Sequence, residues 1–465
     1  MRVFRVIQRL LPVCAVACLA VGCGSSTATY SPLTEVQPID ESTEANGVGG
    51  PATVNSTDKL DSLEHVGPDE LVGIALKRHP SIKAASTKVQ RISETVEQAS
   101  SLPDPMYSVS AGDMAQTAAG QVEFMTGVSQ KVPYPGKLAG EGRIAEQQIQ
   151  VARAELDSVK WRVATSVRRA YWSRYFADHA IDVTGQSRKL LEQFQQIAET
   201  KLRAGRAKQQ DVLRISVELS SLDQDILNFQ RERVIASAQL NTLLDRPVDQ
   251  PLPDPKDVDF VKTTMELDTL VAQATKSHPS IDAAKAMSAI ARERMKLARL
   301  SGRPDVSLGV SYAAVDEEGL SPLANGNDQW WVNVGVSMPI WRGRVDAAKR
   351  EALHGIGESM QRLRAARNQV VFDVQDAVTR VQTQQQLIAL FKEQIIPETK
   401  QTVDVSMAGY VSGNVDFLTL IDNWRKLLSV QLMLERNVTL LHQSLADLRA
   451  AIGKDLVNDN QRSAP

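Results

Sequence analysis

Few residues of this sequence are spaced for catalysis. Gly136-Lys137-Leu138 lacks both the leading glycine and the hydroxyl residue of a phosphate-binding loop. Neither a His-Glu-x-x-His zinc motif nor a Gly-x-Ser-x-Gly nucleophile turn occurs. His79 and His278 each precede a proline at a helix junction, so we expect them to cap helices rather than bind metal. The eleven Met form no cluster for copper. We therefore predict no enzymatic activity, no cofactor and no metal site.

Cys23 is the one residue for which the sequence predicts a covalent modification. Three arginines within the first nine residues precede the apolar run 10–21, which is too short to span a bilayer as a helix. The run ends at Leu19-Ala20-Val21-Gly22-Cys23, which is similar to a bacterial lipobox, where the cysteine becomes the acylated mature N-terminus. We predict a lipoprotein signal peptide over residues 1–22 and lipidation of Cys23. A plain secretory peptide cut nearby is the alternative.

Composition excludes a nucleic-acid partner and favours long helices. The 53 basic and 55 acidic residues balance each other, without the clustered Lys and Arg of a nucleic-acid surface. Aromatic residues make up only 5% of the chain, whereas Ala, Gln, Leu, Arg and Glu are abundant. Cys14 and Cys18 lie in the predicted signal peptide, so the exported chain would have no disulfide and would depend on packing and oligomerisation.

After residue 66 the sequence follows a duplicated plan. Asp69-Glu70-Leu71-Val72 with His79-Pro80-Ser81-Ile82 recurs as Asp268-Thr269-Leu270-Val271 with His278-Pro279-Ser280-Ile281. The offset is 199 residues, 278 minus 79, and a period this long indicates a duplicated domain rather than a solenoid. The predicted organisation is a signal peptide (1–22), an acylated extended tether (23–66), a first structural repeat (67–253), a linker (254–265), a second structural repeat (266–455) and a C-terminal tail (456–465).

Each repeat is predicted to contain a helix of about 20 residues, two strands, a very long helix, a glycine-containing turn and a last helix. The first long helix has apolar spacings of three and four residues, which mix seven- and eleven-residue periods and are typical of nearly straight packed helices. The predicted helices are Pro80–Ser101, Lys137–Arg203 and Gln209–Leu244 in the first repeat and Pro279–Ser301, Arg344–Ala408 and Val415–Ile452 in the second.

The strands alternate between two kinds of side chain. In the run 304–312 an apolar residue occupies every second position from Val306, with Ser or Gly between. The run 331–338 alternates in the same way, and two runs of the first repeat do so more weakly. A length of about eight to ten residues fits a tilted transmembrane strand, and a small polar face fits a wet lumen. An ordinary soluble sheet with one wet face is the alternative.

Membrane strands would require several chains to share one barrel. Four strands cannot close a barrel and an open edge cannot exist in lipid, whereas three chains give twelve strands. A helix of about 65 residues would be about 100 Å long and would project into the periplasm. The predicted fold class is therefore mainly α with a small antiparallel β part: a trimeric twelve-stranded transmembrane β-barrel, continuous with a long periplasmic α-helical barrel. A free-standing antiparallel coiled coil without a pore is the alternative.

Three features together resemble the TolC-like outer-membrane efflux family over residues 66–455. They are the duplicated plan, the strand-to-helix junction Val132-Pro133-Tyr134-Pro135-Gly136-Lys137, and the two turns. Met338-Pro339 repeats part of the junction, and Pro135-Gly136-Lys137 is similar to the heavy-metal-exporter branch more than to the drug branch. The turns contain Gly205 with Asp211-Val212-Leu213, and Tyr410 with Gly413 and Asp416-Phe417-Leu418.

The resemblance implies a homotrimeric channel, lipid-anchored in the outer membrane, that works with a periplasmic adaptor protein and an inner-membrane pump. The adaptor would contact the hairpin tips that contain Gly205, Asp211 and Gly413, and these tips would close the tunnel like an iris. By resemblance, Tyr410 helps to hold the tips shut and Asp416 belongs to an acidic ring at the opening. The family's basic residue between these two is absent. Capping of the last helix is the other interpretation of Asp416.

Two other functions compete with a channel. A lipid-anchored periplasmic coiled-coil protein without a pore would need the long helices, but it would have no reason to alternate apolar residues with Gly and Ser in four strands. An envelope hydrolase with a helical domain would need one of the catalytic motifs that the sequence lacks. The sequence therefore favours a transport channel whose pump, rather than the channel itself, selects the substrate.

Overall fold

The computed structural model describes residues 60, 64–111, 116–117, 119–256, 266–316 and 325–454. The predicted signal peptide, Cys23 and the C-terminal tail lie outside these residues, as do most of the tether and most of the linker.

The main helices and strands follow one order in the two halves of the described chain, and the first half has additional short elements. The first half contains β1 (His65–Val66), α1 (Pro68–Arg78), α2 (Pro80–Ser93), α3 (Thr95–Ser100), β2 (Met106–Ala111), β3 (Gln116–Thr117), β4 (Gly120–Val132), α4 (Lys137–Arg203), α5 (Gln209–Leu243) and β5 (Asp254–Pro255). The second half contains α6 (Leu267–Ser277), α7 (Pro279–Leu300), β6 (Val306–Asp316), β7 (Gln329–Val336), α8 (Arg342–Leu390), a π-helical turn (Phe391–Ile395), α9 (Ile396–Ser412) and α10 (Phe417–Ile452). The predicted class, mainly α with a small antiparallel sheet, is confirmed.

The four main strands form one antiparallel sheet in the order β2-β4-β6-β7, and the short β3 pairs with β4. Tyr107 is opposite Val128, Val128 is opposite Val310, and Val310 is opposite Val332. One row of apolar side chains therefore crosses all four strands. Tyr107 and Val310 are each 56% exposed and Val332 is 59% exposed. An apolar sheet face of this kind is left uncovered by the described part of the chain.

The opposite face of the sheet is small and polar. Asn333 Nδ2 donates a hydrogen bond to Ser311 Oγ over 2.7 Å. A Cβ atom on Gly335 would lie 2.3 Å from Ser307 Oγ, so any larger residue there would force the serine hydroxyl to turn away. The alternation predicted from the sequence thus produces two faces of different chemistry. β4 and β6, with 13 and 11 residues, are longer than predicted because they continue to pair with each other as far as Gln121 and Asp316.

The two long helices differ in continuity. α4 has the predicted bounds, and its 67 residues correspond to about 100 Å. The helical stretch predicted over 344–408 is present, but it is not one regular α-helix, because α8 and α9 are joined through the π-helical turn. Pro397, near the start of α9, has no N–H to donate to the carbonyl four residues earlier, and its ring would clash with that carbonyl. A wider π-helical turn just before it accommodates the proline.

The short helices also depart from the prediction. Helix 80–101 is divided between α2 and α3, where the Ser93 hydroxyl donates to Gln90 O and the Thr95 hydroxyl donates to Ile92 O. Such side-chain bonds compete with the helix backbone. α1 and α6 were not predicted as helices, although each has 11 residues. His79 and His278 cap the helices that follow them, as predicted: the Nδ1 atoms accept hydrogen bonds from the backbone amides two residues later.

The core is divided into separate clusters. Two of them contain equivalent positions of the two halves: Leu71, Ala75 and Ile82 in one, and Leu270, Ala274 and Ile281 in the other. A third cluster, called here the hairpin cluster, joins the helical hairpins. Its buried members are Leu191, Phe194, Ala198, Ile215, Leu222, Phe391, Val403, Tyr410, Phe417, Leu420, Ile421, Trp424, Leu427, Leu428 and Val430. Of the helices in the described ranges, none is long and apolar enough to cross a membrane.

Candidate functional site

The two hairpin turns are the predicted functional region, and each reverses the chain at a left-handed glycine. Gly205, with φ +71°, follows α4, and Gly413, with φ +86°, follows α9. No atom lies within 4 Å of where a Cβ would be built on either residue. Glycine is therefore needed for the backbone conformation and not for space. Arg206 N donates to Lys201 O, and Asn414 N donates to Gly409 O, each over 2.8 Å.

Asp416 caps the last helix. Its Oδ1 accepts hydrogen bonds from the Thr419 amide, over 3.4 Å, and from the Thr419 hydroxyl. The hydroxyl bond, followed by the amide bond, lowers the pKa of Asp416 despite a small opposing effect of burial. The carboxylate is exposed and ionised at neutral pH, so capping and a role in a charged ring are compatible.

Asp211 holds the corresponding place at the start of α5. It is the third residue of that helix, and its Oδ2 accepts a hydrogen bond from the Lys208 amide over 3.4 Å. This is half of a capping box, because the residue before the helix has no side-chain acceptor. Asp211 lies close enough to Tyr410 for its charge to act on the phenol.

Tyr410 lies inside the hairpin cluster and not on its surface. Its side chain is 5% exposed, and its ring centroid is 5.6 Å from that of Phe417. Burial, followed by the negative charge of Asp211, raises the pKa of Tyr410. The phenol oxygen has no hydrogen-bond partner among the described residues. No hydrogen bond joins it to Asp416 in that part of the chain.

Lys201 makes a contact between the two hairpin tips that was not predicted from the sequence. Its ammonium group lies 4.4 Å from the centroid of the Tyr410 ring and donates a hydrogen bond to the Tyr410 carbonyl. A cation in the last turn of α4 is also favoured by the helix dipole. The only local signal in the sequence was the basic last turn, which does not reveal the contact 209 residues away.

An ion pair joins the hairpins further from the tips. Arg425 on α10 donates to both carboxylate oxygens of Glu218 on α5, with Nε 3.1 Å from Oε2. The two bonds make a bidentate pair, which fixes the relative position of the helices more strictly than a single contact would.

The predicted strand-to-helix junction of the first half is fastened by a residue of the second half. Gly136 has φ +94° and precedes α4. Asp305 accepts hydrogen bonds from Lys137 Nζ, over 2.7 Å, and from the Tyr134 amide, over 2.8 Å. Burial opposes the ionisation of Asp305, but these bonds outweigh it and lower its pKa. Asp305 was not identified from the sequence, because its partners lie more than 160 residues away.

Prolines end the strands at both junctions. Pro133 follows β4, Pro135 follows two residues later, and Pro339 follows β7. A proline has no N–H for the strand ladder, so pairing stops before it. The predicted junction residues thus lie between sheet and long helix in both halves. No group of three or more His, Cys, Asp or Glu in the described ranges is placed to hold a metal ion.

Comparison with known proteins gives a family and a shared fold. The profile of the family described as "Outer membrane efflux protein" matches residues 71–246 and 270–454. No curated protein sequence matches the chain. Among solved structures, the outer membrane protein VceC from Vibrio cholerae is similar, with a TM-score of 0.70 and 18% identity; the match covers 83% of this chain and 96% of VceC.

Two further structures share the fold at the same level. CusC, whose structures concern folding and transmembrane channel formation, has a TM-score of 0.69 and 19% identity over 88% of this chain and 99% of CusC. The open state of the MtrE outer membrane channel from Neisseria gonorrhoeae has a TM-score of 0.68 and 20% identity over 83% of this chain and 89% of MtrE.

Proposed function

Because the chain belongs to the outer membrane efflux protein family, we propose that three copies form a passive outer-membrane channel continuous with a periplasmic α-helical tunnel. The observation that carries the proposal is the uncovered apolar face of the β2-β4-β6-β7 sheet, which backs onto a small polar face. Lipid on one side and a water-filled lumen on the other would satisfy both faces.

The edges of the sheet require more than one subunit, and the resemblance to the family gives the number three. β2 and β7 are its outer strands, so each has one unpaired edge among the described residues. Because an unpaired edge is too costly in lipid, β7 of one chain must pair with β2 of the next. Four strands from each of three chains give a twelve-stranded barrel. The second function considered, a periplasmic coiled coil without a pore, leaves both the edges and the apolar face unexplained.

The two repeats, 67–253 and 266–455, are proposed to derive from an internal duplication. Support comes from the two separate matches to the family profile and from the equivalent core positions such as Leu71 and Leu270. A duplicated chain would place two hairpins of each subunit side by side at the periplasmic end of the tunnel.

The tunnel is proposed to be gated at the hairpin tips, with a periplasmic adaptor protein and an inner-membrane pump as partners. Tyr410, held under Lys201, would keep the second hairpin against the first, and Asp416 would contribute to an acidic ring that favours cations. Gly205, Asp211 and Gly413 would form the surface that the adaptor contacts. Opening would then be a movement of the tips biased by the partner.

Lipidation of Cys23 is proposed as the second attachment to the outer membrane, with 23–66 as the tether. Metabolic labelling with a palmitate analogue tests it. We expect label on the wild-type chain and none on Cys23→Ala; equal labelling of the two would contradict the lipobox assignment. The heavy-metal-exporter branch stays a prediction from the junction sequence.

Membrane placement is tested by two substitutions at neighbouring positions of β7. Val334, 66% exposed, lies on the apolar face, and exposed Asn333 lies on the polar face. We expect Val334→Lys to reduce assembly into the outer membrane strongly, since a lysine facing the middle of the bilayer costs about 2–4 kcal/mol. Asn333→Lys should assemble normally and shift the channel's ion selectivity. Equal effects of the two changes would contradict a barrel with one face in lipid.

Conduction is tested by planar-bilayer recording of the purified trimer. We expect small or absent currents from the wild type and larger currents from the Tyr410→Ala, Asp416→Ala double variant, because the closed tips would be loosened. A pure trimer that inserts but never conducts in either form would contradict the channel and favour the periplasmic structural protein.

A further inference from the structure

The second strand-to-helix junction differs from the first in having no ion pair at residues 337–344, all of which the structure describes. It is joined to the Asp305 backbone through Ser337, whose amide donates to the Asp305 carbonyl over 2.8 Å and whose hydroxyl accepts from the Asp305 amide over 2.9 Å. After β7, three large apolar side chains project into solvent: Met338 is 75% exposed, Ile340 67% and Trp341 73%. Met338 and Ile340 continue the every-second-residue pattern of Val332, Val334 and Val336. The apolar face of the sheet therefore extends past the end of the strand to the start of α8.

An open pocket of about 390 Å³ lies at this junction, and its wall is basic. Lys137 and Asp305 line it but are already paired with each other. Arg303 and Arg344 also line it, and neither has a carboxylate partner in the part of the chain that the structure describes. Glu141 is the remaining acid, so the unpaired charge of the pocket is positive.

We propose that this pocket binds the phosphate of a phospholipid headgroup in the periplasmic leaflet of the outer membrane. The proposal rests on the proposed function, because it requires the apolar sheet face to lie in lipid. The end of that face is where acyl chains give way to headgroups. Trp341 has the amphipathic ring that is favoured at this depth, and Arg303 and Arg344 offer the planar donors that suit a phosphate.

One such site is expected in each chain. In the first half Lys137 is paired with Asp305, and Lys131 lies 3.6 Å from the same carboxylate. Those charges are neutralised within the protein. In the second half Arg344 follows β7 without such a partner, so the positive charge is available to a ligand.

The test is lipid binding to the purified trimer in detergent, followed by native mass spectrometry with added phosphatidylglycerol. Diacylglycerol, which has the chains but no phosphate, is the control lipid. The variant is Arg303→Gln with Arg344→Gln; both side chains are exposed, so the fold should be kept. The matched control is Arg364→Gln with Arg367→Gln, which removes the same charge from exposed positions about 30 Å further along α8.

We expect about one tightly bound phosphatidylglycerol per chain. Binding by the Arg303, Arg344 variant should be about twenty-five-fold weaker, since each arginine near a lipid phosphate contributes about a fivefold factor. The Arg364, Arg367 variant should bind like the wild type. Equal binding by both variants, equal binding of diacylglycerol, or displacement of the lipid by millimolar inorganic phosphate would each overturn the headgroup site.

Bilayer recording of the same three proteins, each also carrying Tyr410→Ala and Asp416→Ala so that open channels are expected, separates the two levels of the proposal. In this background the wild type, the Arg303, Arg344 variant and the Arg364, Arg367 variant should all conduct. If they do, and lipid binding by the Arg303, Arg344 variant is unchanged, the lipid site is wrong and the channel function is supported. Failure of the wild type to insert into a bilayer would overturn the proposed function itself, and with it the lipid site.

Discussion

The two long helical arms of this protein are α4 in the first half and α8 with α9 in the second half. They follow one plan but differ in one stretch. α4 continues for 67 residues, whereas the second arm passes through the π-helical turn at Phe391–Ile395 and past Pro397 before α9 begins. The helices that return from the tips differ too, because α10 has a side-chain cap from Asp416 and α5 has none. Single π-helical turns inside α-helices occur frequently at functional sites. The comparison therefore suggests one stiff arm beside one adjustable arm.

The largest loss of stability is expected from truncating side chains in the hairpin cluster, the core that the two arms share. Trp424 of α10 is 1% exposed and Phe194 of α4 is 2% exposed, both within the hairpin cluster. Truncation of either to Ala should cost about 3–5 kcal/mol, because each leaves a large cavity. Thermal melts of both variants in detergent, at one protein concentration, measure this. A severe loss for Phe194→Ala with a mild one for Trp424→Ala would show that the arms do not share their core equally.

The contact between α10 and α4 should also depend on pH. The His442 ring stacks on Trp172 at 3.8 Å and 7°, and burial, together with the positive charge of Arg449, lowers the pKa of His442 to about 4. The folded state therefore disfavours the protonated ring. Its contribution is complete above pH 6.5 and is lost as the pH falls toward 4, by up to about 3 kcal/mol.

His442→Phe keeps a stacked ring and removes the titration. Between pH 6.5 and 4, its melting temperature should fall less than that of the wild type. Carboxylates titrate in both proteins, so the difference between the two profiles is the relevant quantity. If the melting temperatures of the two proteins change in parallel with pH, protonation of His442 does not weaken the contact between α4 and α10.

The irregular arm itself is tested by Pro397→Ala. Pro397 is exposed, so the change loses no packing, and alanine is better by up to about 3 kcal/mol in a helix interior. Because the π-helical turn already relieves part of the clash, we expect a gain of about 1–2 kcal/mol. Channel opening should become rarer, since the second arm would resemble the first.

Pro80→Ala is the matched control, because Pro80 is exposed at the first position of α2, where proline is tolerated. It should leave both stability and opening almost unchanged. A Pro397→Ala protein that is no more stable than Pro80→Ala would mean that the proline does not strain the arm.

The parts of this fold that local sequence signals determine were predictable. α4 was located at both ends, because Gly136 precedes it and Gly205 follows it closely. The strands were found from alternation, since their two faces meet different surroundings. The turns at Gly205 and Gly413 were found because only glycine adopts their backbone conformation readily.

The contacts that fasten these elements were not predictable in the same way. Asp305 and Lys201 each bind partners more than 160 residues away, and one sequence contains no signal for such pairing. The π-helical turn was not predicted, although Pro397 follows it closely. Apolar residues repeat with helical spacing on both sides of Pro397, and this pattern predicted a helix through the proline. The resemblance placed Tyr410 at the tips without naming its partner in this chain, and the structure shows that Lys201 contacts the Tyr410 ring and carbonyl.

The smallest changes in melting temperature are expected from substitutions of the two carboxylates at the hairpin tips, Asp416 and Asp211. Asp416→Ala removes a side-chain cap and should lower the melting temperature by a few degrees. Asp211→Ala removes only the long bond to the Lys208 amide, so its effect should be smaller. Asp416→Asn keeps a good capping residue and should melt like the wild type, while a channel with three fewer negative charges at its opening should lose cation preference. The Asn variant therefore separates an effect on stability from an effect on ion selectivity. Unchanged ion selectivity in this variant would assign Asp416 to helix capping alone. The two arms would then differ in helix structure but not in charge at the channel opening.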